Sequence, residues 1–298
     1  MSHPDADRTN AMRRAAERLM RRDAPPASSP QTTVPWDAQF FGLPRSARFR
    51  SAGQAEQRAV IEDCAAELLS ESWFIERSGV VYCARMTFAA DADDERRLFA
   101  LIGADEATHS AWLEPWIRDR AASADPFSRL IAGLVDAGGT QPLAYLLQIV
   151  LEGFGIAHYA NLAAGCRDEA LAAVLKRMAQ DEAAHHAAGL AAFSAARLGD
   201  AERRFLADAS YAFLQMIRIG PQAVVGALDR HVGIGGEALI AGVFEDLDAG
   251  AAADAKLRHL RRLFAQPGME SLVDELEQKG AFSPCTAAQC AAVYTGAR

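Results

Sequence analysis

The sequence predicts an all-α protein: a four-helix bundle with a crossover connection, extended at its C-terminus by further helices. Three observations carry this prediction. Alanine and arginine, both good helix formers, are used heavily. No stretch alternates apolar and polar residues as a half-buried strand would. A unit of chemistry-bearing residues also recurs 76 positions apart, each time inside a helical pattern.

The elements follow in order. Residues 1–52 read as an N-terminal arm. Its first 22 residues include MRRAAERLMRR, which suits a short basic amphipathic helix or a solvated segment. A stretch rich in Pro and Ser follows, and then Trp36, Phe40 and Phe41, which suit packing onto the body. Residues 53–198 carry the four bundle helices. The first covers about 53–88. The second opens on the acids of DADDE, which favour a helix N-terminus, and runs to about 121. Pro126 and the run GGTQP mark a long connection with room for one short helix. The third helix covers about 142–165 and the fourth about 168–197, closed by LGD. Residues 199–298 form the extension, with helices near 201–219, 222–231, 236–248, 252–264 and 268–279.

Bulk properties narrow the function classes. The chain has 298 residues, half of them apolar and 23% charged, as in ordinary globular proteins. A formal net charge of -8 argues against general nucleic-acid binding. Lysine occurs only as Lys176, Lys256 and Lys279. The five cysteines (64, 83, 166, 285 and 290) are odd in number and scattered, so they read as reduced thiols of a cytoplasmic protein. Cys285 and Cys290 invite a metal or redox reading, but they lack a second pair. No run of 18 apolar residues and no apolar signal core is present, so neither a membrane span nor secretion is expected.

The repeated unit carries the chemistry. Asp105, Glu106 and His109 recur as Asp181, Glu182 and His185, and Glu76 recurs as Glu152. Each unit reads Glu, 28 residues, then Asp-Glu-x-x-His. A spacing of three puts Glu and His on one helix face. Either pair alone is most simply a surface pair. Four packed helices, however, could turn Glu76, Glu106, Glu152 and Glu182 inward with His109 and His185. Such a cluster needs compensation when buried, which two divalent cations would supply. Carboxylates with imidazoles suit iron or manganese better than a thiolate-preferring metal.

This doubled motif resembles the ferritin-like di-iron carboxylate superfamily of the oxygenase and oxidase type, over roughly residues 55–195. The resemblance implies a ferritin-like four-helix bundle holding two iron ions, or one manganese and one iron. It implies that Glu106 and Glu182 bridge the metals. Glu76, Glu152, His109 and His185 would then be terminal ligands. Asp105 and Asp181 would each hold the histidine of the opposite helix.

Positions beside the motif are open to two readings. Gly79 and Gly155 lie three residues after Glu76 and Glu152, so they either leave space beside the metals or allow close helix packing. Cys83 and Tyr159, each seven residues after its Glu, either line a cavity or pack the core. His158 and His186 point to other faces and read as surface or satisfied histidines. Departures from known members narrow the subfamily. Leu113 stands where ribonucleotide reductase small subunits carry a radical tyrosine. Met178 stands where p-aminobenzoate N-oxygenases carry an extra histidine. Gly155 stands where acyl-carrier desaturases carry a threonine.

The function expected is a non-haem di-iron oxygenase or oxidase. It would activate dioxygen to hydroxylate, desaturate or N-oxygenate a small organic substrate, with no catalytic residue beyond the ligands. The alternative is a ferroxidase or other iron-handling protein, which the hundred residues beyond the bundle disfavour. A third reading is an assembly protein with a vestigial site. The run KLRHLRRLF could dock an acyl or peptidyl carrier protein or an electron-donor protein, or it could be a solvated helix face. A homodimer is compatible with the pattern.

Overall fold

A computed structural model describes residues 34–118 and 126–296. All regular secondary structure among them is helical. The basic segment of residues 1–22 lies outside the described residues.

The arm reaches the body through α1 (Ala47–Ser51). Trp36 is wholly enclosed, and its indole N–H donates to the carbonyl of Leu162 at 2.9 Å. Phe40 stacks on Trp36 with ring centroids 5.6 Å apart. The long α2 (Gln54–Ala89) starts where the Glu56 carboxylate accepts from the Gly53 N–H at 2.8 Å. Its partner α3 (Asp93–Leu113) opens on Asp93, Asp94 and Glu95, which complement the exposed amides of the first turn. α3 ends earlier than the expected 121. Pro115 cannot continue an α-helical ladder, so Glu114–Trp116 form a single 3₁₀ turn instead.

Among its described residues the connection holds one helix, α4 (Pro126–Ala137). The guanidinium of Arg85 on α2 collects the carbonyls of Val135, Asp136 and Gly138 at its C-terminal end, the last two at 2.7 Å. This satisfies orphan helix-end carbonyls and pins the connection to α2. The next helix, α5 (Thr140–Gly165), is long and apolar enough to cross a membrane by length and composition alone, yet 56% of that window is buried inside the protein. Its N-terminal half includes a π-helical stretch, Ala144–Leu151, leading directly into Glu152. α6 (Glu169–Ala192) begins at Asp168, whose carboxylate accepts from the Leu171 N–H at 3.0 Å and from the Trp116 indole at 3.2 Å. α6 stops short of the expected 197. The chain turns extended at Phe193, and the Ser194 N–H is taken by Gln141 at 2.7 Å.

Helices α2 and α3 form one antiparallel pair and α5 and α6 another, and α3 packs against α6. The extension comprises α7 (Asp200–Arg218), α8 (Gln222–Val232), α9 (Glu237–Asp246), α10 (Ala249–Phe264), α11 (Glu270–Gln278) and α12 (Ala287–Gly296). The last was not expected from the sequence. Within it Cys290 is buried, and its thiol donates towards the Cys285 carbonyl, so these two cysteines serve packing there. α10 lies along the π-helical stretch, where the Tyr145 hydroxyl donates to the Phe264 carbonyl at 2.6 Å. In the KLRHLRRLF run, Arg258 pairs with Asp254 and Arg261 with Glu277, so part of its charge is met within the extension.

Removing the Tyr145 hydroxyl strands a buried carbonyl. Tyr145→Phe is therefore expected to lower unfolding free energy by about 1–2 kcal/mol, read from urea denaturation. An unchanged midpoint would show that α10 is held to α5 by packing alone.

Candidate metal centre

The four paired helices bring all six motif residues to one place. Glu76 comes from α2, Glu106 and His109 from α3, Glu152 from α5, and Glu182 and His185 from α6. Glu76, Glu106, Glu182 and both histidines are buried, and Glu152 is the least enclosed, with its side chain 14% exposed.

The histidines are arranged alike in the two halves. Nδ1 of His109 faces Glu76 Oε2 at 3.0 Å and Glu182 Oε1 at 3.7 Å. Nδ1 of His185 faces Glu106 Oε1 at 3.3 Å, Glu182 Oε2 at 3.5 Å and Glu152 Oε2 at 3.7 Å. Glu182 thus turns one oxygen to each imidazole. The outer nitrogens are crossed: His109 Nε2 meets Asp181 Oδ2 at 3.3 Å, and His185 Nε2 meets Asp105 Oδ2 at 3.4 Å. Each histidine is therefore held by an aspartate of the other motif. Asp181 is in turn held by Arg177 at 3.0 Å, whereas Asp105 is 55% exposed.

The donor atoms fall into two groups that could each hold an ion. They are Glu76, Glu106 and His109, and Glu106, Glu152, Glu182 and His185, with ligand atoms within 4.8 Å of one another. Glu106 belongs to both. The fit to a cation has a further sign. His185 Nδ1 is buried without a hydrogen bond, although three carboxylate oxygens surround it at 3.3–3.7 Å. A ring nitrogen aimed between carboxylates rather than at one of them suits an ion in their midst once its proton is displaced.

The electrostatics of the metal-free cluster are in conflict. Burial pushes the Glu106 carboxyl up to about 8, helped by the neighbouring Glu76 charge. Burial, then the charge of Glu152, drives Glu182 well up, and burial also raises Glu152. Burial opposes ionisation of Glu76 too, but the His109 hydrogen bond and charge and the Tyr159 hydroxyl outweigh it and hold Glu76 below the usual range. For both histidines burial disfavours the cation. The surrounding carboxylates prevail, Asp181 first for His109 and Asp105 first for His185, and hold both well above the ordinary value. Protons thus do part of what dications would do.

The neighbouring positions divide unevenly. Gly79 does not leave space for a guest, because a Cβ there would lie 2.5 Å from Glu106 Oε2, so the missing side chain makes room for that carboxylate. A Cβ at Gly155 would meet Glu182 Cγ at an ordinary 3.7 Å. Tyr159 is buried, and its hydroxyl donates to Glu76 Oε1. Cys83 is buried against Gly103, where a Cβ would come within 2.9 Å of the Cys83 Cβ. His158 is partly buried, stacks on Phe154, and is pushed down to about 4 by burial and then Lys256. His186 donates to the Ile149 carbonyl at 2.9 Å.

Three features escaped the sequence reading. Gln148 donates to the His185 carbonyl at 3.1 Å and reaches Glu152 Oε1 at 3.5 Å. Its signal was present: it is the one amide in the apolar run AYLLQIVL. Tyr82 sits in the core beside Cys83, and the π-helix of α5 carries no pattern that periodicity detects.

No family model, no curated protein and no solved structure matches this chain. The geometry must therefore speak for the site by itself.

Two outcomes test that geometry. Gly79→Ala is expected to weaken binding of manganous ion by about tenfold or more, because it displaces a shared carboxylate, while Gly155→Ala binds as the parent does. Equal affinities in metal titrations would remove Gly79 from the site. The second outcome concerns pH. An unfolded glutamate ionises near about 4.3, but Glu106 holds its proton to about 8 in the folded chain. Across that window the folded state binds more protons, so stability of the chelator-treated protein should fall from pH 6 to pH 8. The raised histidines act in the same direction above about 6.5. Metal must displace these protons, so its affinity should rise over the same window. Urea midpoints with and without manganous ion check both signs. A chelated protein more stable at pH 8 would contradict the cluster's proton inventory.

Proposed function

We propose that this protein is a non-haem di-iron oxygenase or oxidase on a ferritin-like four-helix bundle, acting on a small organic substrate. The observation that carries the reading is the crossed bracing. Two Glu-x-x-His motifs turn both Nδ1 atoms onto shared carboxylates, while each Nε2 is held by the aspartate of the other motif. Chance surface pairs would not converge in this way.

Glu106 and Glu182 would bridge two ions. Glu76 with His109, and Glu152 with His185, would complete their coordination. Two irons would supply electrons to dioxygen, and manganese in one position would serve the same carboxylate and imidazole set. The chain's own part is to hold geometry and exclude water. Asp181, fixed by Arg177, orients His109. Asp105 orients His185 and stands at the surface, where it offers a route for protons. Against burial, His109 and then Tyr159 keep Glu76 ionised, and the Tyr159 hydroxyl holds it in place. The alternative of iron storage draws no support from the extension, whose α10 packs on the stretch that leads to Glu152.

Ferrous titration in air tests the reading. Iron uptake should saturate at about two per chain, as expected for a paired carboxylate site in a helix bundle. His109→Ala should lose at least one of them and its oxygen consumption. Uptake of many irons per chain would favour storage, and no uptake of iron or manganese would end the two-metal reading.

A further inference from the structure

The 76-residue repeat allows the two halves of the cluster to be compared position by position. At the Glu76 half, the aromatic ring of Tyr159 crosses from α5, and its hydroxyl donates to Glu76. The repeat-equivalent of Tyr159 is Cys83 on α2. A cysteine lacks both the ring and the hydroxyl, so Glu152 receives no matching donor. Its one side-chain amide contact is Gln148 Nε2, at a long 3.5 Å. Glu152 is also the most exposed of the four carboxylates, at 14% against 2%, 5% and 4% for Glu76, Glu106 and Glu182.

Unpartnered polar atoms gather at this same half. Buried side-chain atoms without a hydrogen bond include the Tyr82 hydroxyl, Gln148 Oε1 and His185 Nδ1. Gln148 and Tyr82 are almost wholly enclosed. The Gln148 amide is oriented by its bond to the His185 carbonyl, which leaves Oε1 as an unused acceptor. Tyr82 is the chain neighbour of Cys83, the residue that stands opposite Tyr159 in the repeat, and its ring packs edge-on against Phe99. A buried donor and a buried acceptor left unmatched are costly unless something polar meets them. At the Glu76 half the position equivalent to Gln148 is Ser72, whose hydroxyl is taken by the Leu68 carbonyl at 3.0 Å.

We infer that the guest enters beside Glu152, where Tyr82 and Gln148 form the polar end of a pocket for a small uncharged molecule bearing a hydroxyl or amino donor. The guest takes the place that the Tyr159 phenol fills in the other half. Its donor engages Gln148 Oε1 or Glu152, and the Tyr82 hydroxyl donates to it. Cys83, packed against Gly103, brings neither ring nor hydroxyl to that place. This inference names a substrate class for the centre proposed above and rests on that reading for its catalytic meaning, but the binding it describes can be measured separately.

Phenol and its non-donating counterpart toluene are the probes. Each is titrated calorimetrically into the full-length protein, and metal per chain is measured on the same samples. Phenol should bind about tenfold tighter than toluene or better, the step expected of one well-made buried hydrogen bond. Tyr82→Phe removes a hydroxyl that has no partner in the protein, so folding stability should hold or rise while phenol affinity falls towards that of toluene. A merely structural Tyr82 would not produce that split. Cys83→Tyr should exclude both probes, and Ser210→Ala, at an unpartnered hydroxyl elsewhere in the core, should change neither. Phenol no tighter than toluene in a protein holding two metals would overturn the inference and leave the proposed function standing. Preferential phenol binding in a protein that takes up no metal would support the inference and sink the proposed function.

Discussion

The cost of burying charge governs this structure. Four carboxylates and two imidazoles meet where water is largely excluded. Burial drives three of the carboxylates towards their neutral forms, while the imidazoles are drawn towards their charged ones. Such a cluster persists only if protons or cations resolve the conflict and if the surrounding helices are stiff enough to hold it.

The scaffold supplies that stiffness through contacts far from the cluster. Arg85 gathers the end of α4 onto α2, Trp36 ties the arm to the carbonyl of Leu162, and Asp168 caps α6 while accepting from Trp116. The π-helical stretch of α5 is a rare local geometry, frequent at functional sites. Its backbone and side chains are met from outside the helix, by His186 at Ile149 and by Tyr145 reaching α10. The C-terminal extension is thus coupled to the segment that delivers Glu152.

The internal repeat makes the two halves nearly equivalent in the side chains of the cluster, and the departures from equivalence are informative. Tyr159 against Cys83 and Gln148 against Ser72 are pairs of repeat-equivalent positions with unlike side chains. One half is closed by a hydroxyl donated to its carboxylate, and the other keeps unspent polar groups around a more exposed one. A two-fold set of carboxylates and imidazoles thus acquires a front and a back through residues outside the set.

The sequence by itself determined the helical class and the six residues of the cluster, because helical periodicity and a spacing of three project Glu and His onto one face. It also determined the repeat, which assigns each residue its counterpart. It misplaced the ends of two helices, where Pro115 and the turn at Phe193 outweighed an apolar pattern that ran on, and it missed α12. Only the tertiary structure decided how the halves differ. Gly79 was readable as empty space until Glu106 was seen to fill it. Gln148 was one amide in an apolar run until α6 came beside it. Spacing along a chain reports which face a side chain shares, but the space beside that face belongs to whichever helix packs there, and packing is a property of the whole fold.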